Sequence, residues 1–144
     1  IMTNYYCLVT SDSLKESAID IFNKRIEEKK YPLYLRTPNL NEIKDDDEVI
    51  FYIAGSGKEK QSFVGQAIIQ KVETPKESLV DPDKDNIEVI KYLWFKKIKI
   101  FETSKNIKSI IDKLEFVKNK NNYGAYLMGG VKKLNQKDFN LLIS

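Results

Sequence analysis

Aromatic rings stand beside basic residues at several places in the sequence, and this is its clearest chemical signal. Tyr31, Tyr34, Trp94 and Tyr123 each fall where a predicted strand meets a loop. The basic residues close to them are Arg36, Lys96, Lys97, Lys99, Lys118 and Lys120. Nucleic-acid bases stack on such rings, while Lys and Arg attract phosphates. The pattern indicates binding of a single strand or an extruded base, although rings of a hydrophobic core or a lid would give the same pattern.

Acidic residues are concentrated in two segments of the sequence. A metal site would require several of these carboxylates to converge on one ion. Asp45, Asp46, Asp47 and Glu48 run consecutively before an apolar strand, in which adjacent side chains point to opposite faces. We interpret this run as an exposed turn, because charge runs are usually solvated. A metal-dependent nuclease that uses these carboxylates is the alternative. Residues 73–88 contain two prolines and are predicted to form a polar loop. The alternating aspartates within residues 81–88 lack the spacing of a calcium loop.

The segment Gly55, Ser56, Gly57 and Lys58 resembles the end of a phosphate-binding loop. A complete loop has the pattern G-x-x-x-x-G-K-[ST] between a strand and a helix, whereas here a strand follows. This excludes a nucleotide hydrolase of the P-loop type. We interpret the segment as a turn, whose backbone N–H groups could also approach a phosphate or a base.

The composition excludes several classes of enzyme. The 144 residues include no His and one Cys, Cys7. Without imidazole there is no Ser-His-Asp or Cys-His catalysis and no His-based metal site. A single Cys forms neither an intrachain disulfide nor a Cys-rich zinc site.

The same composition bears on the compartment. A free thiol suits a reducing environment, no stretch approaches the ~20 apolar residues of a membrane span, and no signal-peptide pattern is present. We therefore expect a cytoplasmic protein without a membrane partner.

The net charge of +3 is unevenly distributed along the chain. Residues 1–90 carry 12 basic and 17 acidic side chains, net −5, whereas residues 91–144 carry 12 basic and 4 acidic ones, net +8. A basic C-terminal third favours a polyanionic partner such as nucleic acid. A solvated lysine-rich surface is the alternative interpretation.

Hydrophobic periodicity predicts the elements that must position these residues. Ser13 and Glu16 have the spacing of a capping box at the start of a helix, Asn135 caps a last helix, and Gly65 indicates a bulge or a close backbone approach. The predicted strands are residues 4–10, 48–54, 62–72, 89–101 and 123–128, and the predicted helices are 14–29, about 107–114 and the segment after 135. The order β-α-β-β-β-α-β-α predicts one α+β domain over residues 2–144, with a curled or barrel-like sheet and helices outside it.

The C-terminal motifs resemble those of the EVE domain family. A short helix is followed by a set of spaced apolar and polar residues, an aromatic, a small-residue turn and a closing helix. In this sequence those positions are Leu114, Phe116, Val117, Asn119, Lys120, Tyr123, Gly129, Asp138 and Phe139. Upstream, residues 5–11, 47–53, 63–65 and 92–98 are similar to the family's earlier strands, so the resemblance spans nearly the whole chain in the family's order.

The resemblance implies a PUA-like fold, a strongly bent and mostly antiparallel β-barrel with flanking helices. The family is similar to YTH domains, which hold a methylated adenine in an aromatic cage, and its members are regarded as readers of modified bases in DNA or RNA. Three positions differ from the family's usual residues. Tyr31 to Tyr34 stand in place of Trp-Gly-Val, Phe95 stands in place of Arg, and Tyr123 stands in place of Trp.

We therefore predict a non-catalytic module that binds a modified base of DNA or RNA and uses neither a metal nor a cofactor. In this prediction Trp94 and Tyr34 stack on the base. The whole predicted base pocket is Trp94, Tyr34, Tyr31, Ser11, Gly55, Ser56 and Tyr123. The predicted phosphate contacts are Arg36, Lys96, Lys97, Lys118 and Lys120. The alternatives are a small-molecule or nucleotide-binding module without a nucleic-acid partner, and the metal-dependent nuclease.

Overall fold

A computed structural model describes residues 2–55, 57 and 59–144, in which strands predominate over helices. No helix among these residues is long and apolar enough to cross a lipid bilayer. The strands are β1 (Tyr5–Thr10), β2 (Lys30–Leu33), β3 (Glu48–Ile53), β4 (Ser62–Glu73), β5 (Leu79–Asp81), β6 (Ile87–Val89), β7 (Lys91–Asn106) and β8 (Val131–Leu134). The helices are α1 (Ala18–Glu28) and α2 (Gln136–Ile143), with 3₁₀ turns at Pro82–Lys84, Ile107–Ser109, Ile111–Lys113 and Lys120–Leu127.

Six strands form one curled sheet in the order β2-β7-β4-β3-β1-β8. Strands β1 and β3 pair in parallel, while the other neighbours in this sheet are antiparallel. A separate two-stranded hairpin, β5 with β6, lies outside the sheet. The curled sheet is a half-barrel with helices around it, so the predicted α+β, PUA-like fold is confirmed.

The sheet buries both of its faces against separate apolar clusters. On β1, Tyr6 and Leu8 point into the cluster that includes Phe22 of α1. The alternate residue Cys7 points into the second cluster, with Phe139 of α2. Strands covered on both sides read as continuous apolar runs rather than as alternating ones, which is why the sequence of β1 and β3 shows no polar face.

The bend between β4 and β7 depends on a glycine at their closest approach. The register of this pair shifts at three places, and Lys97 in β7 has a left-handed φ of 51°. A Cβ atom at Gly65 would lie 2.7 Å from the backbone oxygen of Lys99, closer than real Cβ contacts. The close backbone approach predicted for Gly65 is therefore observed, and it lets two long strands curl across each other.

The substitution Gly65→Ala should destabilise the fold because its methyl group meets backbone rather than a flexible side chain. We expect a loss of about 1–3 kcal/mol in the free energy of unfolding, the usual range for overpacking. Urea denaturation measures this loss, and Gly124→Ala is the matched control because a Cβ atom there meets nothing within 4 Å and the residue has no left-handed φ. An unchanged midpoint for Gly65→Ala would contradict this origin of the bend.

Helix α1 begins later than its sequence signature predicts. Ser17 is the N-cap, and its side chain accepts a hydrogen bond from the backbone N–H of Asp20. Ser13 and Glu16 do hydrogen-bond to each other, but they close a separate turn before the helix. The prediction of a helix from residue 14 is therefore wrong by one turn. The Ser-x-x-Glu spacing occurs at the start of a helix and also in an isolated turn such as this one.

Two further elements differ from the prediction. The sequence predicts a strand over residues 123–128, whereas these residues lie within the 3₁₀ segment Lys120–Leu127, and the strand comes after the two glycines, as β8. Residues 73–88 are predicted as a polar loop, whereas they contain β5 and most of the hairpin that it forms with β6. Asp81 at the end of β5 is buried, so this hairpin brings a carboxylate toward α1 and β2.

Candidate base-binding cavity

A cavity of about 70 Å³ lies where the carboxyl end of β1 meets α1, β2 and the turn that follows β5. We call it the Tyr34 cavity. Its walls combine apolar side chains, aromatic rings and charged groups from five separate segments. The lining residues are Val9, Ser11, Asp12, Ser13, Ile21, Arg25, Tyr31, Pro32, Leu33, Tyr34, Thr37, Asp83, Lys84, Asp85, Gly129, Gly130 and Val131.

Tyr31 forms a buried, fixed part of the wall. Its hydroxyl donates to the backbone oxygen of Val9 at 2.8 Å and lies 3.1 Å from Oγ1 of Thr10. The guanidinium of Arg25 stands over its ring, 4.4 Å from the centroid, in a cation–π contact. Burial raises the pKa of Tyr31, so the phenol stays neutral. Its ring therefore supports Arg25 and presents little free face of its own.

Tyr34 is held by a buried ion pair at its hydroxyl. The Tyr34 hydroxyl donates to Oδ2 of Asp81 at 2.6 Å and accepts from Nη2 of Arg25 at 3.3 Å. Nη2 of Arg25 and the same Asp81 oxygen are 3.7 Å apart, and both side chains are only 10% exposed. Burial raises the pKa of Tyr34 well above its usual range. The ring is thereby fixed in orientation while part of it faces the cavity.

The mouth of the Tyr34 cavity carries charges of both signs. Nζ of Lys84 lies 5.6 Å from the centroid of the Tyr34 ring. Asp12 accepts from the backbone N–H of Ala18 at 2.8 Å, at the start of α1. Asp83 lies 3.3 Å from Nζ of Lys24. Two of the acidic groups at the mouth are therefore engaged with donors of the protein, and Lys84 is the cation next to the ring.

The structure brings only some of the predicted pocket residues together. Ser11, Tyr31 and Tyr34 line the Tyr34 cavity. Gly55 lies next to it, because a Cβ atom there would be 2.6 Å from Asp12 Oδ2. Ser56 lies outside the described residues. Trp94 and Tyr123 are not among the lining residues and occupy two other places.

Trp94 lies on the opposite side of β7 from the core residues Leu93 and Phe95. Its indole N–H donates to Oε1 of Glu73 at 2.9 Å, and the Nζ atoms of Lys30 and Lys71 stand 5.5 and 5.2 Å from its ring. A base in the Tyr34 cavity cannot stack on this ring at the same time as on Tyr34. The structure therefore does not bring together the two rings that the sequence pairs.

Tyr123 and two of the predicted phosphate contacts lie near the C-terminal segment. The Tyr123 hydroxyl donates to Oε1 of Gln61 at 2.5 Å, and its ring packs on the second apolar cluster. Lys118 and Lys120 line a separate groove with Glu115 and Lys137. Nζ of Lys120 donates to the backbone oxygen of Leu114 at 2.5 Å.

The other three predicted phosphate contacts lie in two different parts of the fold. Arg36 is exposed in the turn between the lining residues Tyr34 and Thr37. Lys96 and Lys97 are exposed on β7, where Lys96 forms an ion pair with Asp46 at 2.9 Å. Of the five predicted phosphate contacts, Arg36 is thus the one next to the Tyr34 cavity.

The acidic run at residues 45–48 stabilises the fold. Asp45 and Asp46 are exposed in a turn, as predicted. Asp47 is instead fully buried and accepts from the backbone N–H groups of Asn4 and Lys44, both at 3.0 Å, so the prediction is wrong for Asp47. Asp45 accepts from the backbone N–H of Val72 at 2.9 Å. In the described residues, no group of three or more acidic or Cys side chains could hold a metal ion.

The sequence-based prediction assigns none of Arg25, Asp81 and Gly129 to the pocket, although it identifies Gly129 as part of a turn. Arg25 falls four residues after Ile21 on the buried side of α1. A cation at a buried helix position indicates a buried partner, and this signal could have identified Arg25 from the sequence. Asp81 has no comparable signal, because its role depends on the hairpin that carries it. Gly129 has a φ of 86°, and a Cβ atom there would lie 2.9 Å from Pro38 Cγ.

The fold and the sequence together define the family. The chain belongs to the EVE domain family, whose model matches residues 6–144. No curated protein matches the chain significantly.

Solved structures with the same fold include three proteins of low sequence identity. Human THYN1, in complex with DNA containing 5-methylcytosine, aligns with a TM-score of 0.58 and 12% identity, over 98% of this chain and 96% of that one. Atu2648 from Agrobacterium tumefaciens gives 0.55 and 14%, over 97% and 90%. The N-terminal domain of McrB from Staphylothermus marinus gives 0.54 and 8%, over 96% and 92%. At these identities the similarity establishes the fold.

Proposed function

We propose that this chain is a non-catalytic module that binds DNA carrying a modified base and holds that base in the Tyr34 cavity. The observation that carries the proposal is the fixed Tyr34 ring, oriented by Arg25 and Asp81 beside a partly apolar cavity. The structure of THYN1, which shares the fold, contains 5-methylcytosine DNA and supports DNA as the partner. Stacking on Tyr34 would supply most of the base affinity.

The size of the cavity defines how a base would enter. An apolar cavity of about 150 Å³ accommodates benzene, whereas the Tyr34 cavity measures about 70 Å³. The space must therefore widen for a base. Lys84 stands next to the Tyr34 ring on an exposed, flexible stem, so its displacement would open the ring face at little cost. The ammonium could then reach a phosphate of the same strand.

The remaining walls suit the edge and the methyl group of a modified base. The Ser11 hydroxyl and the peptide groups of Gly129 and Gly130 lie at the wall and can hydrogen-bond to a base edge. Val9 and Ile21 offer apolar surface for a methyl substituent. A methyl group favours such a site through apolar contact and through stronger stacking on the ring.

The hydrogen bonds made by the acidic residues 45–47 support the proposal that the module is non-catalytic. Asp45, Asp46 and Asp47 each accept from a donor of the protein on a different segment, which leaves them diverging rather than converging on one ion. A nuclease that uses two metal ions requires carboxylates around a common centre.

The test is a panel of labelled oligonucleotides measured by fluorescence anisotropy at low salt. The panel contains 5-methylcytosine, N6-methyladenine and unmodified bases in DNA and RNA, single- and double-stranded. We expect one modified DNA to bind at least about 10-fold more tightly than its unmodified form, with affinity falling as salt rises. Equal affinity for modified and unmodified strands would refute the proposal. A free modified nucleoside that binds as tightly as the strand would instead support the small-molecule alternative.

A further inference from the structure

Two turns at the mouth of the Tyr34 cavity have a similar construction. In the turn over residues 13–16, the backbone N–H of Ser13 donates to the oxygen of Glu16 at 2.9 Å, and the Ser13 hydroxyl accepts from the N–H of Glu16 at 3.0 Å. In the turn over residues 34–37, the N–H of Thr37 donates to the oxygen of Tyr34 at 3.1 Å, and the Thr37 hydroxyl accepts from the N–H of Tyr34 at 2.9 Å. Each turn is thus closed by backbone and side-chain hydrogen bonds between its first and last residues.

The tips of both turns carry a leucine followed by a cation. They are Leu14 with Lys15, and Leu35 with Arg36. Leu14 is 90% and Leu35 74% exposed, although their neighbours Ser13 and Tyr34 line the Tyr34 cavity. A single exposed leucine is ordinary, but two on closed turns beside one cavity form a defined apolar rim.

The two turns are held in place by the surrounding structure. Asp12, next to the first turn, is bonded to the start of α1. Pro38, next to the second turn, lies against Gly129 of the segment that enters β8. The leucines are therefore presented on backbone that is already ordered, so little conformational entropy would be lost when they contact a partner.

The geometry points to a specific contact with duplex DNA, and this inference rests on the proposed function. A base that leaves a duplex for a protein pocket opens a gap in the stack. Apolar side chains such as Leu insert between base steps in DNA-binding proteins. We propose that Leu14 and Leu35 enter the stack beside the extruded base, while Lys15 and Arg36 contact the flanking phosphates.

The charges around the two tips fit a polyanion. Glu16, the acidic residue nearest to the first tip in sequence, is paired with Lys24 at 2.6 Å. Lys15 and Arg36 are both exposed. A protein partner would require only the apolar surface, whereas the alternation of leucine and cation on both turns matches a surface of stacked bases bordered by phosphates.

The test compares wild type with the double variant Leu14→Ala/Leu35→Ala on two probes. One probe is a duplex with a central 5-methylcytosine, and the other is the same methylated strand without its complement. We expect the double variant to bind the duplex at least about 10-fold more weakly and the single strand within about 2-fold of wild type. Ile100→Ala is the control, because Ile100 is half exposed on β7 and does not line the cavity; it should change neither affinity.

Each result decides between the two proposals. Unchanged duplex affinity in the double variant overturns the insertion of the leucines, and so does an equal loss on both probes, since the leucines would then contact the strand whether or not it is paired. If wild type binds neither methylated probe nor the N6-methyladenine strands above, the proposed function fails and the inference falls with it. Preferential loss on the duplex supports both.

Discussion

The substitution Tyr34→Ala should reduce affinity for the modified strand by about 5- to 150-fold. This range corresponds to the ~1–3 kcal/mol that a base gains by stacking on an aromatic side chain. The effect should appear in the dissociation constant measured by anisotropy, with the unmodified strand affected much less. The prediction follows from the position of the ring at the cavity and from its fixed orientation.

Two matched variants separate stacking from other effects. Tyr34→Phe keeps the ring and removes the hydroxyl that donates to Asp81, so it should bind within about 3-fold of wild type, with stability lowered by about 1–3 kcal/mol. Trp94→Ala removes a larger ring that lies outside the cavity. If Trp94→Ala weakens binding as much as Tyr34→Ala does, the base site is not the Tyr34 cavity.

The substitution Arg25→Met should produce the largest loss of stability among residues at the site. It leaves Asp81 buried without its cation, and breaking a buried ion pair from one side costs about 3–5 kcal/mol. It also removes the group over the Tyr31 ring and the donor to the Tyr34 hydroxyl. Urea denaturation followed by circular dichroism measures the change, and binding of the modified strand should weaken in parallel.

A second substitution at Asp81 tests the physical reason for this loss. Asp81→Asn in the Arg25→Met background removes the uncompensated charge and should recover part of the stability. An additive loss in the double variant would argue against a coupled pair. Lys137→Met is the surface control, since its ion pair with Glu115 is largely exposed and screened by solvent, so its loss should leave the urea midpoint almost unchanged.

The sequence predicts the sheet better than the site. Strands β1, β3, β4 and β7 are long apolar or alternating runs whose signal is local, and their approximate positions could be inferred directly. Gly65 could be interpreted correctly because a glycine inside a strand usually marks a bulge or the close approach of another backbone. The strand predicted over residues 123–128 is wrong because short runs rich in Tyr and Gly carry little periodic information, and local hydrogen bonds decide their form.

The site combines residues that are far apart in sequence. The prediction of the site from the sequence is incomplete for this reason. Tyr34 could be selected from its neighbours, but Trp94 could not be separated from it, since nothing in the sequence says that the Trp94 side chain leaves β7 on the outer side. Arg25 and Asp81 are 56 residues apart and meet through a hairpin that the sequence predicts as a loop. Long-range pairs of this kind depend on the tertiary fold and leave no local pattern.

An ¹⁵N NMR titration with the methylated strand that binds most tightly would show directly whether the base lies in the Tyr34 cavity. The chain has a single tryptophan, so its indole N–H is an isolated reporter on the outer face of β7. We expect large shifts for the amides of Ser11, Tyr34 and Gly130 around the cavity, with the Trp94 indole signal nearly unchanged. A large shift of the Trp94 indole with stationary cavity amides would contradict this expectation and would place the base on the opposite face.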